Sequence, residues 1–453
     1  MIRKLICGAG TLGVSMFAAT AAFAQEAAEA VADAAIETAA AVPTEVVEEV
    51  AALDTGDTTW MMVSTVLVLA MFLPGLALFY GGLVRTKNML SVLTQVLTVS
   101  CMAMIVWVCW GYSMANTTGN AFFGGFDKLF LAGVTVDSLA DTIPEYVDVS
   151  FQMTFAAITA ALVVGGLVER VKFSALLLAL FIWLTIVYFP LAYMVWGDGL
   201  IGAMGALDYA GGTVVHINAG VTALVGSLVL GKRLGYLKEA LPPHSLTMTM
   251  IGACLLWVGW YGFNAGSAYA ANNEAGLAML NTFTATAAAT LAWMVAEKLT
   301  GRKPTLLGAC SGVIAGLVAI TPAAGYSGPF GAIVLGAVAS VGCYAFVGFL
   351  KPKLGFDDTA DVFGIHGVAG IVGSVGVAIT NAPGLGGPGE AGYAIGSQLG
   401  IQLTATAIAI AWAAVGAFIA FYVAKLVLGL RVTQDQEREG LDLATHGERA
   451  YNY

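Results

Sequence analysis

Eleven stretches of about twenty residues run through this chain with almost no charge, and such segments have few places to go. As helices, ~20 apolar residues cross the ~30 Å of hydrocarbon in a bilayer. Only helices and closed barrels satisfy every backbone group in lipid. Barrel strands alternate polar and apolar residues over ~10 positions; these runs are continuous and about twice as long, so they read as helices. They fall at 59–83, 90–114, 150–168, 173–196, 210–231, 246–266, 277–297, 305–322, 328–350, 361–380 and 398–429. With 58% of 453 residues hydrophobic and 11% charged, against about a quarter charged in soluble domains, one membrane-embedded all-α bundle is expected. The 56 glycines suit helices that approach closely in lipid. Pro74 and Pro190 fall inside spans one and four and are expected to kink them.

The ends differ in character. Arg3 and Lys4, an apolar run and Ala22-Phe23-Ala24 make residues 1–24 a secretory signal peptide. Residues 25–58 are Ala/Glu-rich and read as a mobile acidic linker outside the membrane. Nine acidic residues and no Lys or Arg lie there. That segment supplies much of the net charge of −10, which therefore carries no argument about nucleic acid, and no such partner is expected. Along the rest of the chain the basic residues alternate by loop. Sixteen fall on one side of the membrane, fifteen in loops and tail and Lys425 at the end of span eleven, and only Lys128 on the other. By the positive-inside rule the mature N-terminus is periplasmic and the C-terminal tail, 431–453, cytoplasmic, which places the chain in a cell inner membrane. A missed or extra span would scramble this asymmetry, so it supports the count of eleven.

Span five contains Val215-His216-Ile217-Asn218-Ala219-Gly220, and span ten Ile365-His366-Gly367-Val368-Ala369-Gly370. The histidines are 150 residues and five spans apart. A repeat unit with an odd number of spans must insert upside down relative to its copy. Two inverted five-helix halves follow, about 59–231 and 246–380, with the path between them near mid-membrane. The eleventh helix, about 398–429, lies outside the repeat. Each His follows an acidic residue, Asp208 and Asp361, read as capping counterparts.

An ionisable residue inside a span is costly and usually functional, although one imidazole could simply join two helices. Imidazole donates from one nitrogen and accepts at the other, so a symmetric pair suits a small polar molecule. It offers no cage for a metal ion, and the five cysteines within spans show no metal-ligand spacing. His244 and His446 lie in a loop and the tail and are expected to be solvated. Phe155, Tyr188, Trp196, Phe263 and Ser267 cluster near one set of span ends. An interfacial aromatic belt and a cation–π cup for a small ammonium ion both fit that clustering.

At these residues the chain resembles the ammonium transporter (Amt/Mep/Rh) family, bacterial branch, from about Trp60 to the C-terminus. The resemblance is carried by Asp208-Tyr-Ala-Gly-Gly-Thr-Val-Val-His216-Ile-Asn-Ala-Gly220, by Gly259-Trp260-Tyr-Gly-Phe263-Asn264-Ala-Gly-Ser267, and by Asp361-Val-Phe-Gly-Ile-His366-Gly-Val-Ala-Gly370. It implies a homotrimer with one pore per subunit. An outer recruitment site would comprise Phe155, Trp196 and Ser267, and the Gln-x-x-Phe pattern of Gln152 and Phe155 also fits the family. Phe155 and Phe263 would gate the path above the pore histidines His216 and His366. Asp208 would be the acidic residue near the outer mouth, and Trp260, Leu76 and Val362 would line the lower pore. Ammonium, with methylammonium as a further substrate, would be deprotonated at the mouth and cross as ammonia. The tail resembles the family's docking segment for a PII-type signal protein, though its mixed charges equally suit a solvated tail. An ammonium sensor working through such a partner and a neutral-gas channel are the competing readings. An enzyme is not expected, and neither is a cofactor, because the His and Asp residues lack a placed nucleophile or a nucleotide motif.

Overall fold

The computed structural model describes residues 52–452. The expected signal peptide and the acidic segment as far as residue 51 lie outside those residues. Among the described residues eleven helices are long and apolar enough to cross a bilayer. They are α1 (Thr55–Leu83), α2 (Thr86–Asn116), α3 (Glu145–Leu167), α4 (Phe173–Ala203), α5 (Gly212–Leu230), α6 (Leu246–Ala268), α7 (Asn273–Leu299), α8 (Leu306–Ala323), α9 (Pro329–Leu354), α10 (Phe363–Thr380) and α11 (Ile395–Leu428). Each falls within a few residues of its expected place. Four of these helices start at a short polar side chain that satisfies a free N–H group. Asp54 accepts from Asp57 N at 2.8 Å, so the last residues of the expected linker belong to α1. Ser245, Asn272 and Thr305 cap α6, α7 and α8 in the same way. Pro74 sits within a π-turn, Met71–Leu76, and Pro190 follows another, Leu184–Tyr188. A widened turn accommodates the missing N–H and the ring.

Helices α3, α5 and α8 are the core: 78% of each crossing window is buried, against 33% for α9 and 39% for α11. The outer helices turn their remaining apolar faces outward, including Leu403, Val415, Phe418 and Leu426 of α11, as lipid contact requires. Cys101 and Cys254 are on that exposed surface, and Cys310 and Cys343 pack inside.

At the centre α5 crosses α10 antiparallel. Gly220 lies against Gly367, and Gly370 against Gly212 and Ile217. Shifting each residue by 150 positions exchanges the first contact for the second, as an inverted repeat demands. A Cβ on Gly220 would come 2.5 Å from Gly367 N, so only glycine permits the two backbones to meet there.

The two ends of the bundle are unlike. Beyond the start of α5, a two-stranded ribbon of β1 (Leu139–Ala140) and β2 (Ile143–Pro144) follows α2. Thr142 ties the ribbon to the start of α1 through Asp57, at 2.7 Å. The opposite end, below α3, is a buried ion network. Glu169 is 1% exposed and accepts from Arg85, Asn88 and Arg233. Arg233 also chelates Asp357. Arg170, fully buried, bonds the Gly231 carbonyl at 2.8 Å and the Thr359 hydroxyl at 2.8 Å. Basic residues from several of the loops expected on one side therefore meet here. Burial alone would raise the Glu169 carboxyl, but the Arg233 and Arg85 guanidiniums reverse this and hold it at about 2.

The tail is not free in water. Glu437 is buried, pairs with Arg431 at 2.6 Å and accepts from Leu234 N at 2.6 Å. Asp442 accepts from Ser91 N at 2.8 Å, and the Asn88 side-chain Oδ1 from Leu441 N at 2.8 Å. Nor are the two outlying histidines simply solvated. His244 Nδ1 lies 2.9 Å from Val84 O, and the His446 ring stands edge-on to Phe173.

Candidate functional site

Asp208, in the loop before α5, organises one end of the central crossing. Its carboxylate accepts from the N–H groups of Gly211, Gly212, Thr213 and Val214, at 2.6 to 3.2 Å. Four donors on one carboxylate anchor the first turn of α5. Burial pushes its carboxyl up to about 6, and those four N–H groups pull the other way. The counterpart is Asp358, not Asp361. Asp358 is fully buried and accepts from Phe363 N at 2.7 Å, whereas Asp208 receives Thr213 N at 2.8 Å; both residues of the second pair sit 150 positions before those of the first. Asp361 is instead paired with Lys351 at 2.6 Å and has a left-handed backbone, φ 56°. The spacing from Asp to His differs between 208–216 and 361–366, and that discrepancy could have exposed the error.

Each anchored start opens into a π-turn, Gly212–Ile217 in α5 and Phe363–Gly367 in α10. His216 and His366 project from these two turns. Their Nδ1 atoms lie 3.2 Å apart, and the residues are 0% and 4% exposed. At that distance one Nδ1 carries the hydrogen and the other accepts it. His216 Nε2 has no hydrogen-bond partner among the described residues. Trp260 stacks on His216, centroids 5.3 Å apart at 24°, and its Nε1 donates to Thr321 at 2.9 Å.

Above His216 the rings continue without a gap. Phe263 lies 6.0 Å from His216, and Phe155 stacks on Phe263 at 4.2 Å and 13°. Trp196 stands edge-on to Phe155 at 5.9 Å and 83°, with its Nε1 donating to Asp208 O at 2.9 Å. Ser267, partly exposed, donates to Phe263 O at 2.8 Å. The structure thus brings Trp196, Phe155, Phe263, His216 and His366 into a continuous series of ring contacts, with Trp260 packed beside both Phe263 and His216. Tyr188 is buried against Trp183 and Phe189.

On the far side of His366 a cavity of about 300 Å³ begins. His366 and Ile365 form its inner end, and Phe79, Leu83, Arg302 and Asp361 line its walls. Leu76 and Val362 are buried but are not among its lining residues. Phe79 and Ile365, each three residues further along, hold those walls. Sequence reading also missed Thr321, which orients Trp260, and Asp358, which the 150-residue interval applied to Asp208 would have found. Among the described residues, no three His, Cys, Asp or Glu side chains gather so as to hold a metal.

Residues 59–451 match the Ammonium Transporter Family. The chain belongs to the ammonium transporter family. An ammonium transporter of Aquifex aeolicus is 46% identical over 406 residues, 89% of this chain and 95% of the relative. One from Bacillus subtilis is 43% identical over 400 residues, 87% and 98% of the two chains. Among solved structures, Mep2 of Candida albicans superposes with a TM-score of 0.77 at 36% identity, covering 85% of this chain and 88% of that one. A Sensor Amt Protein superposes with a TM-score of 0.81 at 26% identity over 86% and 98% of the chains. The Aquifex aeolicus and Bacillus subtilis relatives are both named ammonium transporters.

Proposed function

We propose that this transporter takes up ammonium by separating the ion into ammonia and a proton, with the His216–His366 pair spanning the dry part of the path. The observation that carries this is the buried pair, Nδ1 to Nδ1 at 3.2 Å, beneath the Phe155–Phe263 stack. A bare cation moved into surroundings of Phe, Trp and Ile loses hydration that nothing there replaces; neutral ammonia loses far less. The cation is therefore held at the aromatic face of Trp196 and Phe155, with the Ser267 hydroxyl as a polar contact. It gives up its proton there, and ammonia passes when the phenyl rings part. Two imidazoles joined Nδ1 to Nδ1 offer a nitrogen to each side of the pair, which lets the proton follow along the same line. Potassium has no proton to lose and is refused. Asp208 fixes the turn that presents His216 and adds a negative charge near the mouth. The basic network below α3 supports placing that end in the cytoplasm and the Trp196 end outside an inner membrane. The family resemblance supports a homotrimer and a PII-type partner at the basic face.

The test is the current evoked by an ammonium pulse across proteoliposomes of the purified protein, beside the His216→Ala/His366→Ala variant. A current that potassium does not evoke, and that the double variant loses or makes unselective, is expected. Equal potassium and ammonium currents in the unaltered protein would refute the split of ion into gas and proton.

A further inference from the structure

At the Trp196 end, α3 carries a buried pair of acids that the mechanism above does not use. Glu145 and Asp148 are 5% and 8% exposed. The Tyr112 hydroxyl sits 2.9 Å from one and 3.0 Å from the other. Lys128 bonds Glu145 and lies over the Tyr112 ring, which satisfies that half of the cluster. The other oxygen of Asp148 reaches elsewhere: it accepts from the Tyr269 hydroxyl at 3.1 Å. That hydroxyl in turn accepts from the Gln152 side-chain amide, one turn along α3.

Tyr269 stands at a junction. It ends the 3₁₀ turn Gly266–Ala268, which carries Ser267, and its own backbone is left-handed, φ 56°. A bulky residue holds that conformation only when its surroundings impose it. Its ring stands edge-on to Phe151 at 5.5 Å, and Phe151 packs on Phe155 at 4.9 Å. One hydroxyl therefore ties the wall that holds Ser267 to the wall that holds Phe155. We propose that Asp148 and Tyr269 are positioning residues for the recruitment site: their hydrogen bond sets the spacing of its two walls, and hence the affinity for external ammonium, without contributing to passage through the shaft. The inference rests on the recruitment reading given above. A competing role is purely electrostatic, because Glu145, Asp148 and Lys128 together leave one negative charge near a cation site. The two roles differ in what substitution preserves them. Asparagine keeps an oxygen for Tyr269 and drops the charge; alanine drops both.

The experiment is the concentration dependence of methylammonium uptake by the full-length protein in proteoliposomes at fixed pH. Asp148→Ala and Tyr269→Phe should each raise the half-saturating concentration about fivefold, the usual effect of one hydrogen bond, with maximal rates within about twofold of the unaltered protein. Asp148→Asn should restore half-saturation to within about twofold. An Asp148→Asn effect as large as that of Asp148→Ala, with Tyr269→Phe silent, would assign the role to charge and overturn the proposal. A fall in maximal rate at unchanged half-saturation would overturn it too. Trp196→Leu separates the two levels. If it leaves half-saturation unmoved, ammonium is not recruited at this cup and both readings fall; if it raises half-saturation while Tyr269→Phe does not, the positioning role alone falls.

Discussion

Gly220→Ala and Gly370→Ala are equivalent changes by sequence and should behave very differently. A Cβ at Gly220 meets the backbone N of Gly367 at 2.5 Å, whereas one at Gly370 meets its nearest atom at 3.1 Å, a side-chain methylene of Ile217. Ordinary contact begins near 3.4 Å. Alanine at 220 must therefore drive α5 and α10 apart by roughly 0.9 Å against backbone, while at 370 the Ile217 side chain and the backbone atoms Gly212 O and Ile217 N, both at 3.2 Å, need give by only a few tenths of an ångström. Because the contact is to the residue next to His366, the separation falls on the histidine pair. An Nδ1–Nδ1 distance of 3.2 Å would open to about 4 Å, beyond any hydrogen bond. Overpacking of this kind costs about 1–3 kcal/mol, and losing a buried bond about 1 kcal/mol more. Thermal unfolding in detergent and ammonium-evoked current in proteoliposomes measure the two effects. Gly220→Ala is expected to lower the melting temperature and reduce the current at least about tenfold, with Gly370→Ala within about twofold of the unaltered protein. Equal effects at the two positions, or a fully active Gly220→Ala, would refute the reasoning.

Glu169→Gln should unfold earlier than the unaltered protein at pH 7 by about 3 kcal/mol, because it leaves Arg233 short of a buried partner. The carboxyl is held at about 2 when folded and titrates near 4.5 when unfolded, so its stabilisation is complete above pH 4.5 and lost as pH falls toward 2; unfolding temperatures from pH 7 to pH 3 should converge for the two proteins. Phe263→Ala removes a stacked ring and leaves a cavity, costing about 3–5 kcal/mol; potassium-evoked current, absent before, is the expected result in vesicles if that ring seals the path. Glu437→Ala releases the tail from Arg431 and Leu234, and limited proteolysis should cleave beyond Thr433 faster than in the unaltered protein, with the membrane core left intact.

The spans and their number were legible because hydrocarbon thickness imposes a length that hydropathy reports directly. The ring order from Trp196 to His366 was legible only through the family's motifs, since Phe155 and Phe263 lie on different helices and nothing local says that they stack. The π-turns at His216 and His366 left no mark in periodicity; one widened turn moves a side chain by a fraction of a residue, below what an apolar run resolves. Asp361 was mistaken for the counterpart of Asp208 because it stands nearest the span start, while Asp358 lies where a loop would be expected. The seated tail was hidden for a different reason. Its acids bind backbone N–H groups of Ser91 and Leu234, and backbone donors are the same for every sequence.

The crossing of α5 and α10 repeats the same pairing of residues from either end of the molecule, 150 positions apart, although it is tighter at Gly220 than at Gly370. A passage whose central pairing repeats in this way takes little direction from its middle. It can serve as an exit as readily as an intake, and any rectification must come from what is unlike: an aromatic cup at one mouth, a lattice of arginines and a clasped tail at the other. Selection on the direction of traffic would then act on the rims, leaving the middle free to remain its own mirror.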